Sequence, residues 1–300
     1  MARSAGFCFG VTAAIQLAEH EKKPVLGPLV HNPQVVQALA RQGIPILARD
    51  TCLETLSELG EVIITAHGAP FEVKEALRQR GIVFHDATCP VLLRWVYRKI
   101  QRFEAAGYRV LLVGNPAHAE IIASKSYGTD IQVAYSTKDI DELEDDGRPM
   151  VALCQTTITR DEFTQLVAHA RATRFPHLEA VDTRCKPVRT QQEAVQRLSR
   201  WVDAMLILGG HNSSNTTKLA KIARKSLPEA TYHVESPEAI EPDWLVGVRT
   251  LGLGAGTSTP GEQIAAAQVR IRELHPGPVV FRSEEEEDLV LENPDHDEHL

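Results

Sequence analysis

Short apolar runs alternate along this chain with longer stretches in which apolar residues recur every three or four positions. The runs fall at 61–65 (Glu-Val-Ile-Ile-Thr), 82–84, 108–113, 150–153, 178–181, 204–208 and 250–253. Their length and β-branched content predict strands. Between them lie segments with helical spacing. Within 90–106, Leu92, Trp95, Val96, Ile100 and Phe103 form one apolar stripe, and 188–201 behaves alike. Pro90 suits a first-turn position, which predicts Cys89 near a helix N-cap. Strand and helix alternating with short connections argue for an α/β fold of parallel sheets covered by helices. In such sheets ligands collect beyond the carboxyl ends of the strands, and nearly every polar motif here falls at one of those ends.

With 300 residues there is room for two or three compact units. Aromatic residues make up only 5%, which suits an aliphatic α/β protein better than an all-β one. The formal charge of −8 belongs to the end of the chain. Residues 283–300 hold nine of the 40 acids and no Lys or Arg, leaving 31 acids against 32 basic residues elsewhere. The run is expected to be a solvated, disordered tail over 282–300, with the folded part ending near Phe281. Basic segments are scattered and not interleaved with aromatics, so nucleic-acid binding is not expected. No signal peptide precedes the first motif and no apolar run approaches a membrane span. The expectation is a cytoplasmic protein, not bound to a membrane, with reduced thiols.

Five cysteines are present, and three of them, Cys8, Cys89 and Cys185, are separated by 81 and 96 residues. Two stand in echoing phrases, Asp86-Ala-Thr-Cys89-Pro90 and Asp182-Thr-Arg-Cys185-Lys-Pro187. This period predicts three similar units, 1–89, 90–185 and 186–281, whose cysteines converge. A single free Cys is more often a small buried hydrophobe than a ligand. Three at predicted strand-to-helix junctions, where a helix start favours thiolate, point instead to a metal site with an open position. Structural zinc sites usually show close Cys pairs, which are absent, whereas an iron–sulfur cluster tolerates distant ligands. Cys52 and Cys154 lack the repeated context and read as structural.

His31, His67 and His118 lie in Gly-, Pro- or Asn-rich turns. One such His is usually a satisfied surface or core residue. Three make a polar, potentially cationic lining that donates to phosphate oxygens. Glu120, two residues beyond His118, is either a helix-start carboxylate or a proton donor. Gly209-Gly-His-Asn-Ser-Ser-Asn215 and Gly254-Ala-Gly-Thr-Ser258-Thr-Pro260 each follow a strand and precede a helix. Hydroxyls and free N–H groups at a helix start make an anion site. A plain N-cap needs one such residue, and four in succession exceed that. Neither is a P-loop, since no Gly-Lys-Ser/Thr follows. Phosphate or diphosphate without a nucleoside is the expected anion.

In this order the motifs resemble the 4-hydroxy-3-methylbut-2-enyl diphosphate reductase family of the non-mevalonate isoprenoid route. The matching phrases are Gly6-Phe-Cys-Phe-Gly-Val11, His31-Asn-Pro-Gln-Val-Val36, Ala66-His-Gly68, Asp86-Ala-Thr-Cys-Pro90 and His118-Ala-Glu120. They continue with Gln155-Thr-Thr157, Cys185, Asn212-Ser-Ser-Asn215 and Ser258-Thr-Pro260. The resemblance implies three α/β units about a pseudo-threefold axis enclosing a [4Fe–4S] cluster held by Cys8, Cys89 and Cys185. A fourth iron would be open to the substrate's hydroxyl. It further implies that His31, His67, Ser213, Asn215 and Ser258 grip the diphosphate, with His118 and Ser214 close by. Glu120 would deliver a proton, with Thr156 and His118 beside it. The implied products are isopentenyl and dimethylallyl diphosphate, and the implied electron donor is a ferredoxin or flavodoxin.

Some positions depart from the family pattern. After Cys185, where small polar residues are common, this chain has Lys186-Pro-Val-Arg189. Lys186 is expected to face solvent, and Val188 removes a hydroxyl from a loop expected near the substrate. After Ser258-Thr-Pro260, where an acid is usual, Gly261 precedes Glu262. The alternatives are a paralogue acting on another allylic diphosphate, a cluster-binding sensor without turnover, and a zinc-stabilised sugar-phosphate-binding protein. An intact Glu120 argues against the sensor.

Overall fold

The computed structural model describes residues 1, 5–275 and 277–281; the acidic stretch from 282 lies outside the described residues. Three wholly parallel sheets carry the fold. The first contains β1 (Val25–Leu26), β2 (Ile46–Leu47), β3 (Glu61–Ile64) and β4 (Val83–Asp86), in the order β2-β1-β3-β4. The second contains β5 (Arg109–Val113), β6 (Ile131–Ala134), β7 (Met150–Cys154) and β8 (Glu179–Val181), in the order β6-β5-β7-β8. The third contains β9 (Ala204–Leu208), β10 (Thr231–Val234) and β11 (Leu251–Ala255), in the order β10-β9-β11. Residues Cys8–Cys185 form one compact unit with the first two sheets; Met1–Phe7 and the chain from Lys186 form another with the third.

Each sheet is buried on both faces, which is why its inner strands read as unbroken apolar runs. Along β5, Leu111 and Val113 enter one core cluster while Val110 and Leu112 enter the cluster behind it. Along β9, Leu206 and Leu208 face one cluster, and Met205 and Ile207 the other. In the first sheet Ile63 points one way and Val62 and Ile64 the other. Helices on both faces supply the matching stripes, as Val96 and Ile100 of helix Leu93–Ala105 do against β5.

The seven runs predicted as strands are β3, β4, β5, β7, β8, β9 and β11, with ends moved by up to two residues. The remaining four carried no run to read. β1 and β2 are two residues long, and β6 and β10 are edge strands buried only at their first and last residues. Two junctions differ from expectation. No strand precedes Cys8 among the described residues, although Cys8 is the N-cap of helix Phe9–Glu21. Cys89 is not an N-cap, because the turn through Pro90 closes with Arg94 N–H donating to Cys89 C=O (3.4 Å) and the helix starts at Leu93. Val188 lies in helix Lys186–Leu198 and is 3% exposed, so it is a packing residue and not part of a loop. Lys186 is exposed.

Candidate functional site

Strand ends place the polar residues of the 8–185 unit. Asn32 caps helix Pro33–Arg41, its side chain accepting from Gln34 N–H (2.9 Å) and Val35 N–H (3.3 Å), and Pro33 pre-sets the first turn. His31 is thereby held just beyond β1. His67 follows β3, and His118 caps helix Ala119–Lys125 after β5. The three rings meet. His31 and His67 stack with centroids 4.1 Å apart, and His118 stands edge-on to them at 5.3 and 5.8 Å. His118 Nδ1 accepts from Glu120 N–H (3.2 Å), which leaves the proton of the neutral ring on Nε2. His67 keeps part of its surface at solvent, but its Nε2 is buried with no hydrogen-bond partner among the described residues.

Two of the three imidazoles are held neutral, contrary to the expected cationic lining. Burial, then the nearby Arg49 charge, pulls His31 down to about 4. Burial, followed by His31, His118 and Arg49, holds His67 well below the usual imidazole range. Desolvation disfavours the charged ring, so at neutral pH these two groups offer hydrogen bonds and no net charge.

Glu120 is 4% exposed at the start of its helix. It is both the helix-start carboxylate and a perturbed acid. Thr156 N–H donates to one oxygen (2.7 Å) and the Thr156 hydroxyl contacts the other (2.6 Å). These bonds favour the carboxylate, yet burial outweighs them and raises Glu120 to about 7. Because a backbone N–H can only donate, it fixes Oε1 as an acceptor, and the acid proton must ride on Oε2. There the Thr156 hydroxyl can accept it while passing its own proton onward. The pair can pass a proton from an acid poised near neutrality.

Backbone bonds tie two of the cysteines to the turns after β3 and β7. Cys89 N–H donates to Ala66 C=O (3.1 Å), the residue before His67, and Cys185 N–H donates to Thr156 C=O (3.0 Å). Cys8 and Cys89 are close enough for the Cys89 charge to raise the Cys8 thiol, after burial as the larger cause. Burial therefore outweighs the helix N-terminus that was expected to lower it; the N–H groups of Val11 and Gly10 oppose it only in part. Gly10 leaves room at Cys89, since a Cβ there would stand 2.8 Å from its Sγ. Among the described residues no three His, Cys, Asp or Glu side chains form a group around a single ion. Three cysteines far apart in sequence are a donor set that a polynuclear cluster can use, since it takes its thiolates one to each metal atom. Cys52 is exposed beside Thr55 (3.3 Å), and buried Cys154 is pushed up to about 11 by desolvation.

The second unit has its own anion-ready turn. Ser213 caps helix Ser214–Arg224, accepting from Thr216 N–H (3.3 Å), and is 5% exposed. Asn215 Nδ2 donates to Gln191 Oε1 (2.8 Å), while its buried Oδ1 has no partner among the described residues. Ser214 is half-buried at the first helical position and Ser258 is buried beyond β11. The sequence assigns no role to two contributors in the first unit, although Gln155 stands in a matching phrase. Gln155 accepts from Asn115 N–H (3.0 Å) and donates to the Thr157 hydroxyl (2.9 Å), tying together the turns after β5 and β7. Arg49, whose charge reaches the imidazoles, lies in no motif.

Among the described residues no helix is long and apolar enough to cross a membrane. A family model described as LytB protein matches residues 1–272. A 4-hydroxy-3-methylbut-2-enyl diphosphate reductase from Aquifex aeolicus is 37% identical over 296 residues, covering 93% of this chain and 98% of that protein. A protein of the same name from an Anaeromyxobacter species is 34% identical over 285 residues, covering 92% and 97%. A solved structure of (E)-4-hydroxy-3-methyl-but-2-enyl diphosphate reductase, the terminal enzyme of the non-mevalonate pathway, superimposes with a TM-score of 0.65. It is 36% identical, over 91% of this chain and 98% of that one. The Plasmodium falciparum E-1-hydroxy-2-methyl-but-2-enyl-4-diphosphate reductase shares the fold, with a TM-score of 0.83 at 24% identity over 93% and 88%.

Proposed function

The chain belongs to the LytB protein family, and on that premise we propose that it reduces 4-hydroxy-3-methylbut-2-enyl diphosphate to isopentenyl and dimethylallyl diphosphate. Overall, two electrons and two protons enter, the C–O bond breaks, a C–H bond forms and water leaves. One observation carries the reading: Glu120, buried, raised to about 7 and bonded through both oxygens to Thr156, lies two residues beyond His118 of the imidazole cluster, in the unit that also holds all three thiols.

Cys8, Cys89 and Cys185 would hold a [4Fe–4S] cluster through three irons. When bound, such a cluster supplies single electrons and a Lewis-acidic iron. The protein's own work is binding, orientation and proton supply. His31, His67 and His118 donate to the diphosphate, and Ser213, Ser214, Asn215 and Ser258 are the candidate phosphate-binding residues of the other unit. Binding at that remote end positions the reacting carbon. Glu120 protonates the departing hydroxyl oxygen through the Thr156 hydroxyl, turning a poor leaving group into water.

A redox sensor has no use for a poised acid, and Val188, which packs in the core, lends the paralogue reading no support. The electrons come from a one-electron donor such as a ferredoxin or flavodoxin. Five free cysteines fit a reducing, cytoplasmic setting. The test is anaerobic turnover with a reduced viologen and chromatographic identification of products. Both five-carbon diphosphates should form, and a cluster-loaded protein forming neither would overturn the assignment.

A further inference from the structure

Three parallel strands bring one more residue to the imidazoles. Arg49 lies two residues beyond β2, the edge strand paired with β1. Gly27, just after β1, donates its N–H to Leu47 C=O (3.0 Å) at the end of β2. The Arg49 stem lies flat across that glycine. A Cβ on Gly27 would stand 2.6 Å from Arg49 Cγ and 3.0 Å from Nε. Gly27 also has φ +95°, a conformation that disfavours any side chain. His31 is four residues further on, and His67 lies three residues beyond β3, the other neighbour of β1. The order β2-β1-β3 therefore lines up Arg49, His31 and His67 at adjacent strand ends.

Arg49 has an unusual electrostatic position. Its charge depresses both His31 and His67, and partial desolvation lowers its own pKa although the residue is exposed overall. A guanidinium stays charged under such a shift. Among the described residues it makes no hydrogen bond and no ion pair. The more buried arginines of the same unit are all tied down. Arg109 bonds Asp130 (3.2 Å) and Glu144 C=O (2.8 Å), and Arg184 bonds Asp182 (2.7 Å). A partly desolvated cation pressed toward neutral imidazoles is unfavourable unless an anion joins it. A planar five-donor fork matches phosphate oxygens two at a time.

We propose that Arg49 is the cation of this anion site, its guanidinium meeting the diphosphate of the substrate beside the His31–His67 pair. This deepens the reading of the site as an allylic diphosphate pocket and rests on it. The imidazoles supply direction through single hydrogen bonds, and Arg49 supplies the charge they lack. Arg49 acts on binding and not on the proton relay, so its loss falls on KM.

The experiment compares the cluster-loaded protein with its Arg49→Gln and Arg49→Lys forms. Each is titrated calorimetrically with inorganic diphosphate at low and high salt, and each is assayed for turnover. Arg49→Gln should raise both KM and the diphosphate Kd about tenfold, with kcat within about threefold. It should also flatten the salt dependence of binding, which a merely structural residue would leave steep. Arg49→Lys should recover the salt dependence but only part of the affinity. Unchanged Kd and salt dependence in Arg49→Gln would overturn the inference while leaving wild-type turnover, and thus the proposed reaction, intact. Diphosphate binding that depends on Arg49 without any turnover would uphold the inference and overturn the reaction. Failure of the wild type to bind diphosphate at all would overturn both.

Discussion

Replacing Glu120 with Gln keeps the side chain's size and removes only its ability to titrate. The carboxyl is raised to about 7 from an ordinary 4.5, chiefly by burial. In the free enzyme it is about half protonated at pH 7 and about a tenth protonated at pH 8. For wild type, kcat/KM, which reports the free enzyme, should therefore fall about tenfold per pH unit above roughly pH 7. Glu120→Gln should lower kcat by about 10²–10⁴-fold with KM little changed, and its residual activity should lose that falling limb.

A second readout needs no turnover. A carboxyl whose folded value lies above its unfolded one favours the fold fully below about pH 4.5 and loses that contribution as pH rises through 7. The shift from 4.5 to about 7 corresponds to about 3 kcal/mol at about 1.4 kcal/mol per unit. Glu120→Gln, free of that titration, should gain about 3 kcal/mol over wild type between pH 4 and pH 8, read from paired denaturant titrations. A kcat within threefold of wild type, together with a pH-independent stability difference, would remove Glu120 from the proton path and refute the burial argument.

Thr156→Val deletes the hydroxyl that contacts Glu120 Oε2 at 2.6 Å and leaves the backbone N–H bond in place. Turnover should fall about 10–100-fold. Because the lost bond lowers the Glu120 pKa, the falling limb of the residual pH profile should move to higher pH; a shift to lower pH would contradict the relay. Gly68, beside His67, has φ +82°, and a Cβ there would stand 2.2 Å from the Tyr97 hydroxyl. Gly68→Ala should cost about 1–3 kcal/mol in denaturant titrations, and adding Tyr97→Phe should recover part of it. Tyr97→Phe alone should be neutral or slightly stabilising, since that buried hydroxyl has no partner among the described residues. A loss above about 1 kcal/mol would show that the hydroxyl is engaged after all.

What the sequence disclosed follows from where information is local. Strands such as β5 and β9 are buried on both faces, and their unbroken Val, Leu and Ile runs announce them. β1 and β2 hold two residues each and take their place from pairing, which leaves no pattern to read. Arg49 was illegible for the same reason, since its position depends on the register of β2 against β1 and on the missing side chain of Gly27. Cys8, His31, Glu120 and Ser213 could be singled out because each stands at or beside a helix start, where turn chemistry is written in consecutive residues. The state of the site was not legible. That His31 and His67 are neutral and Glu120 is poised near 7 are consequences of burial, which adjacent residues do not encode.

The central claim is a three-thiol iron–sulfur centre beside the Glu120 relay, and metal and sulfide analysis of anaerobically purified protein tests it most directly. About four iron and four acid-labile sulfide per chain are expected, falling sharply when Cys8, Cys89 or Cys185 is replaced by Ser and unchanged in Cys52→Ser. Zinc without sulfide, or a full cluster that survives all three replacements, would contradict the account.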